Sequence, residues 1–187
     1  MLTLTRACIL LIAAMVASPA HADEESSALH RSSLELNVLW PFFPGGITEL
    51  RFIAPVSRAH EETLRGAFVA GVYSDFASRV VRDESYGKVA NLSAKLGWRE
   101  YFIAGLHAEA SLNLGWRHEA MRPPNNETFD GFQIRLWTHL GYEHQLSSRF
   151  YANARAALGI HLYRTGPYAE LEKKLVPGGD LNLGVRF

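Results

Sequence analysis

Cysteine is all but missing from this 187-residue chain, its one copy being Cys8. That residue lies early in an apolar run at the start, so a chain processed after the run keeps no thiol. Disulfides, thiolate metal sites and cysteine nucleophiles are then excluded. So is a lipid anchor, which needs its cysteine after the run. Long apolar runs are missing too. Ala7 to Ala17 spans about 11 residues, short of the roughly 18–20 that a bilayer-spanning helix needs. After residue 22 no window resembles a membrane helix, and the mean hydropathy is −0.06. A basic excess is also absent. Removing Arg6 from the 19 Lys+Arg leaves 18 against 19 Asp+Glu, which argues against a nucleic-acid partner.

What is present begins with a leader. Arg6, the apolar run and the small-x-small pattern of Ser18-Pro19-Ala20-His21-Ala22 predict a signal peptide over residues 1–22, cut after Ala22. Residues 23–32 are polar and acidic and read as a disordered periplasmic lead-in. Residues 33–187 are then one domain by length.

That domain reads as strands. In its last seven residues, apolar Leu181, Leu183, Val185 and Phe187 alternate with Asn182, Gly184 and Arg186, the two-residue period of a strand with one apolar face. Eight such segments are expected, at Ser33 to Phe42, Ile47 to Val56, Leu64 to Tyr73, Val89 to Arg99, Phe102 to Arg117, Phe132 to His144, Phe150 to Tyr163 and Asp180 to Phe187. In the sixth, Phe132, Ile134, Leu136, Leu140 and Tyr142 oppose Gln133, Arg135, His139, Gly141 and Glu143. A helix would scatter these residues around its circumference.

Long polar connections, Ser74 to Lys88, His118 to Gly131 and Arg164 to Gly179, alternate with short ones at Ser57 to Thr63, Glu100-Tyr101 and Gln145 to Arg149. An even-numbered barrel with both termini at one end produces that alternation. The chain ends on a strand, and in a closed barrel that strand pairs with the first and removes both open edges. A soluble barrel with apolar residues inside shares the period. Two features point to the inverse arrangement. The polar face holds glycine, serine, asparagine, histidine and arginine, with Lys95 the one strand lysine expected, whereas solvated surfaces are rich in lysine and glutamate. The aromatics gather at two levels, Trp40, Phe42, Trp116 and Phe132 at one and Trp98, Phe102, Phe150 and Phe187 at the other, as interfacial girdles do.

The leader, the eight alternating segments, the short and long connections and the terminal Leu-x-Leu-Gly-Val-Arg-Phe together resemble the small outer-membrane β-barrel proteins of Gram-negative bacteria, the OmpA/OmpX type. The resemblance implies an all-β, eight-stranded antiparallel up-and-down transmembrane barrel, monomeric in the outer membrane among lipid and lipopolysaccharide. It implies that Leu181, Leu183, Val185 and Phe187 form the signal read by the barrel assembly machinery. Its function would be structural or surface interaction through the long loops, whose extracellular partner the sequence does not name. A narrow pore or carrier for small solutes is the alternative, and a lipid A-modifying barrel enzyme a second.

An inward polar face would place Glu35, Glu49, Arg51, Arg65, Lys95, Arg99, His107, Glu109, Arg117, Arg135, His139, Glu143, Arg155, His161, Asp180 and Arg186 in the lumen. Buried charges are tolerable when paired, so a cross-lumen salt-bridge network is expected. The histidines lie on different segments without compact ligand spacing, and neither a metal nor a cofactor is expected. No catalytic residue is assigned, since a barrel hydrolase needs a hydroxyl beside an imidazole at the rim. The only His-x-Ser is His30-Arg31-Ser32 in the lead-in, and His118 has no serine near it in sequence.

Overall fold

The structure, a computed structural model, describes residues 31–38, 48–56, 66–78, 86–103, 105–121, 127–166 and 175–187. Eight strands run through them: β1 Ser33–Asn37, β2 Thr48–Val56, β3 Gly66–Ser78, β4 Tyr86–Ile103, β5 Leu106–Met121, β6 Thr128–Gln145, β7 Phe150–Arg164 and β8 Leu175–Arg186. They form one closed antiparallel barrel in chain order. β1 meets β8 from Ser33 opposite Arg186 to Asn37 opposite Asn182, and the Phe187 N–H donates to the Ser32 carbonyl at 3.0 Å. No helix among the described residues is long and apolar enough to cross a membrane.

The strands are long where the sequence suggested loops. β3 continues to Ser78, β4 begins at Tyr86, β5 reaches Met121 and β6 begins at Thr128, so the expected connections Ser74 to Lys88 and His118 to Gly131 give up both flanks to the sheet. β8 likewise begins at Leu175, inside the third expected loop. Polar composition misled here because pairing continues wherever a neighbouring strand is present to take the hydrogen bonds. Lys88 thereby joins Lys95 as a second strand lysine.

The turn after β4 also moves. Glu100 and Tyr101, expected as the turn, are strand residues, and Phe102 belongs to the end of β4 rather than the start of β5. The chain reverses at Gly105, whose φ of +75° is costly for a residue with a Cβ. Gly105 is therefore a turn glycine, not one of the strand's polar-face positions.

Alternation sorts the side chains by face. In β1, Ser33, Glu35 and Asn37 are buried while Leu34 and Leu36 are exposed. In β5, His107, Glu109, Ser111, Asn113 and Arg117 are buried while Leu112 and Trp116 are exposed. The interior is thus polar and the outside apolar, the inverse of a soluble barrel with its apolar core. One apolar cluster lies inside, Ile53, Ala67, Val69 and Tyr101, toward the end that carries the termini.

A β-bulge breaks the alternation in β7. Ile134 stands opposite Tyr163 and Arg135 opposite His161, which leaves Leu162 as the extra residue. Leu162 and Tyr163 consequently both face out, 55% and 52% exposed. Arg164, opposite Gln133, returns to the inner side.

Candidate functional site

The closed register brings the inward charges of distant strands together. Glu35 of β1 accepts from Arg51 of β2, from Arg99 Nη1 of β4 at 2.8 Å, and from Tyr151 Oη and Asn153 Nδ2 of β7 at 2.9 and 3.1 Å. Glu109 of β5 accepts from Arg51 at 3.1 Å, Arg99 at 2.8 Å and Arg155 at 3.0 Å, with His139 Nδ1 at 3.7 Å. Arg155 also donates to Asp180 at 2.7 Å and reaches Glu49 at 3.4 Å, while Lys95 pairs with Glu49. Glu143 closes the cluster, taking Arg99 at 2.5 Å, Arg186 at 2.6 Å and the Tyr101 hydroxyl at 2.8 Å.

Carboxylates Glu35, Glu49, Glu109, Glu143 and Asp180 thus face cations Arg51, Lys95, Arg99, Arg155 and Arg186 in equal number, each cation on at least one carboxylate. Removing so many charges from water costs several kcal/mol per ion, and only this mutual pairing offsets it. The arrangement fills the lumen at its level with fixed side chains whose charges are paired.

Three aromatics of the cluster escaped the sequence reading, and all sit at positions whose parity points inward. Tyr101 and Tyr151 bridge carboxylates, and Arg186 lies over the Tyr151 ring at 4.0 Å. Tyr151 rests where a methyl group on Gly184 would collide with its ring. Trp137 also faces inward, stacked beside His139 at 6.1 Å with the Arg135 guanidinium 5.6 Å from its centroid. Strict counting by two from Arg99, His139 and Asn153 would have found all three.

The remaining expected lumen residues divide. His107 is buried and donates from Nδ1 to the Gly105 carbonyl at 3.1 Å. Arg117 and His161 are buried, and Arg135, half-buried, donates to Gln133, which in turn donates to Asn91. Arg65, Trp40 and Phe42 lie outside the described residues, as do the leader and most of the lead-in. Among the described residues no group of His, Cys, Asp and Glu is arranged to hold a metal.

At the loop end, on the outer face, His118 Nδ1 bonds Asp130 Oδ1 at 2.9 Å, and its ring stacks 5.6 Å from Trp116. The sequence hid this pair because its members are 12 residues apart and meet only across the β5–β6 ladder. Compared with protein-family models, with curated protein sequences and with solved structures, the chain gives no match in any of the three.

Glu35 holds β1, the shortest strand, to three others from inside, so the β1–β8 seam should depend on it. Leu36 and Leu183 are register partners, and cysteines placed there in the mature chain should cross-link on mild oxidation, whereas a Leu36/Leu181 cysteine pair should not. Glu35→Ala is expected to lower stability by about 3 kcal/mol and to reduce the in-register cross-link on non-reducing gels. Full cross-linking in that variant would show that seam hydrogen bonds alone set the closure.

Proposed function

We propose that this chain is a transmembrane barrel of the Gram-negative outer membrane, delivered by its leader, with a structural or surface-interaction role carried by its long loops. One observation carries the reading: the outer surface is an apolar band bounded by aromatics at both levels. On β6 the outward residues from Phe132 to Tyr142 are apolar except Thr138. At about 3.3 Å per residue and a tilt of about 40°, that stretch covers roughly 25 Å of height, the thickness of a lipid-facing band. Trp116, Phe132 and Tyr163 mark one border, with the polar His118–Asp130 pair beyond them. Phe102, Phe150 and Phe187 mark the other, exposed by 58%, 56% and 65%.

The buried, ion-paired side chains that fill the lumen support a closed barrel over an open pore. Leu181, Leu183, Val185 and Phe187 are the assembly signal in this reading, with Phe187 stacked against Phe52 at 6.4 Å. Fractionated cells should show the protein in the outer membrane, with a gel mobility that shifts on boiling. Phe187→Ala should cut the folded, heat-shifting form several-fold, the remainder being degraded in the periplasm. Recovery of the protein in the soluble periplasm without a heat shift would reject the membrane assignment, and undiminished folded Phe187→Ala would reject the signal alone.

A further inference from the structure

Among the described residues, Glu100 is the one acid that the barrel turns outward between its two aromatic borders. It sits on β4 between Trp98 and Phe102, and its direction follows from Arg99 and Tyr101, which are buried on either side of it. Glu100 is half-buried, and its carboxylate takes one hydrogen bond, from the Trp98 indole N–H at 2.9 Å. Among the described residues no cation is paired with it. Each of the five carboxylates of the lumen network does have one.

The surroundings of this carboxylate are low. Its cross-strand neighbours are Gly66 on β3 and Ala108 on β5, so no tall side chain stands directly beside it. The Trp98 ring takes the space that a Cβ on Gly66 would need, and Trp98 remains 44% exposed. Ala110, opposite Trp98, continues the floor begun by Ala108, and Leu140 on β6 stands on the far side of Ala108. A negative charge, an exposed indole and an apolar furrow thus meet at one border of the band. An organic ammonium suits the first two, because the carboxylate accepts its N–H bonds and the ring attracts its charge. Hydrocarbon suits the third.

We infer that Glu100 and Trp98 form a headgroup site for one phospholipid carrying a primary ammonium, with the start of an acyl chain lying along Ala108 and Ala110. Charge complementarity decides the occupant. An ionised carboxylate has about four acceptor positions, and Trp98 fills one of them. An anionic headgroup would meet repulsion there, and a quaternary ammonium has no N–H to donate. The level fits as well, since Phe102, the next outward residue of β4, belongs to the aromatic border where headgroups begin. The inference rests on the membrane reading above.

The test is native mass spectrometry of the folded protein in detergent with equal amounts of dioleoyl phosphatidylethanolamine, phosphatidylcholine and phosphatidylglycerol. The ethanolamine lipid should be retained about threefold over the choline lipid, and the glycerol lipid least. Glu100→Gln, which keeps the shape and an acceptor for Trp98, should bring the two zwitterionic lipids level. Phe150→Ala, at the same border on β7, should leave the preference unchanged, and a heat-shift gel confirms that each variant is folded. The unaltered protein supplies a second measurement: N-acetylating the ethanolamine lipid removes its charge and should drop its retention to that of the glycerol lipid. Equal retention by the unaltered protein, a preference that survives Glu100→Gln or N-acetylation, or one lost equally in Phe150→Ala would each overturn this inference and leave the membrane reading standing. A protein that enters no lipid vesicle and shows no heat shift would overturn both.

Discussion

Glu109→Ala is expected to destabilise the barrel by about 3–5 kcal/mol, the largest effect of any single lumen substitution. The carboxylate is fully buried and accepts from Arg51, Arg99 and Arg155. Each of those arginines keeps another carboxylate, Glu35, Glu143 or Asp180 among them, so the loss is one uncompensated charge shared by three guanidiniums. Glu109→Gln keeps the shape and part of the hydrogen bonding and should fall between alanine and the parent. Urea titration followed by the folded and unfolded gel bands measures the difference. Salt should change it little, because buried pairs are poorly screened. An alanine variant as stable as the parent would mean that the network contributes nothing to the fold.

The second large effect separates a lipid-facing surface from a solvated one. Leu96 and Leu92 are both on β4, both outward and similarly exposed, at 48% and 45%. Leu92 is the cross-strand partner of Trp116 at the border of the apolar band, while Leu96 pairs with Leu112 in its middle. In a membrane, arginine costs about 2–4 kcal/mol at the midplane and about 0–1 near the interface. Leu96→Arg should therefore fold poorly into lipid vesicles where Leu92→Arg folds almost normally. In water the two positions would respond alike, since both leave an exposed leucine for an exposed arginine. Equal effects would remove the strongest support for the membrane assignment.

Much of the architecture is legible in the sequence. The period of two in Leu106 to Arg117 and in Phe132 to Glu143 identifies strands and separates two chemically distinct faces, and each of the eight segments holds a strand among its described residues, the first over Ser33–Asn37. Boundaries were less legible. The ends of β4, β5 and β8 follow the neighbour's length rather than their own composition, and the reversal at Gly105 was marked by one glycine among many. Trp137 was obscured differently: an indole on the polar face broke the expected chemistry although its parity was right.

By itself the sequence determined which residues share a face, because successive side chains of a strand point to opposite sides whatever the strand pairs with. It also determined the chemistry of each face. Only the tertiary structure decided that the polar face is the inside, and which charges meet. Glu35 and Arg99 are 64 residues apart and Arg155 and Glu109 46 apart. Such partners are set by strand tilt and by the register at which β1 closes on β8, properties of the whole ring that no single segment contains. The bulge at Leu162 belongs to the same category, since the extra residue exists only relative to the facing strand.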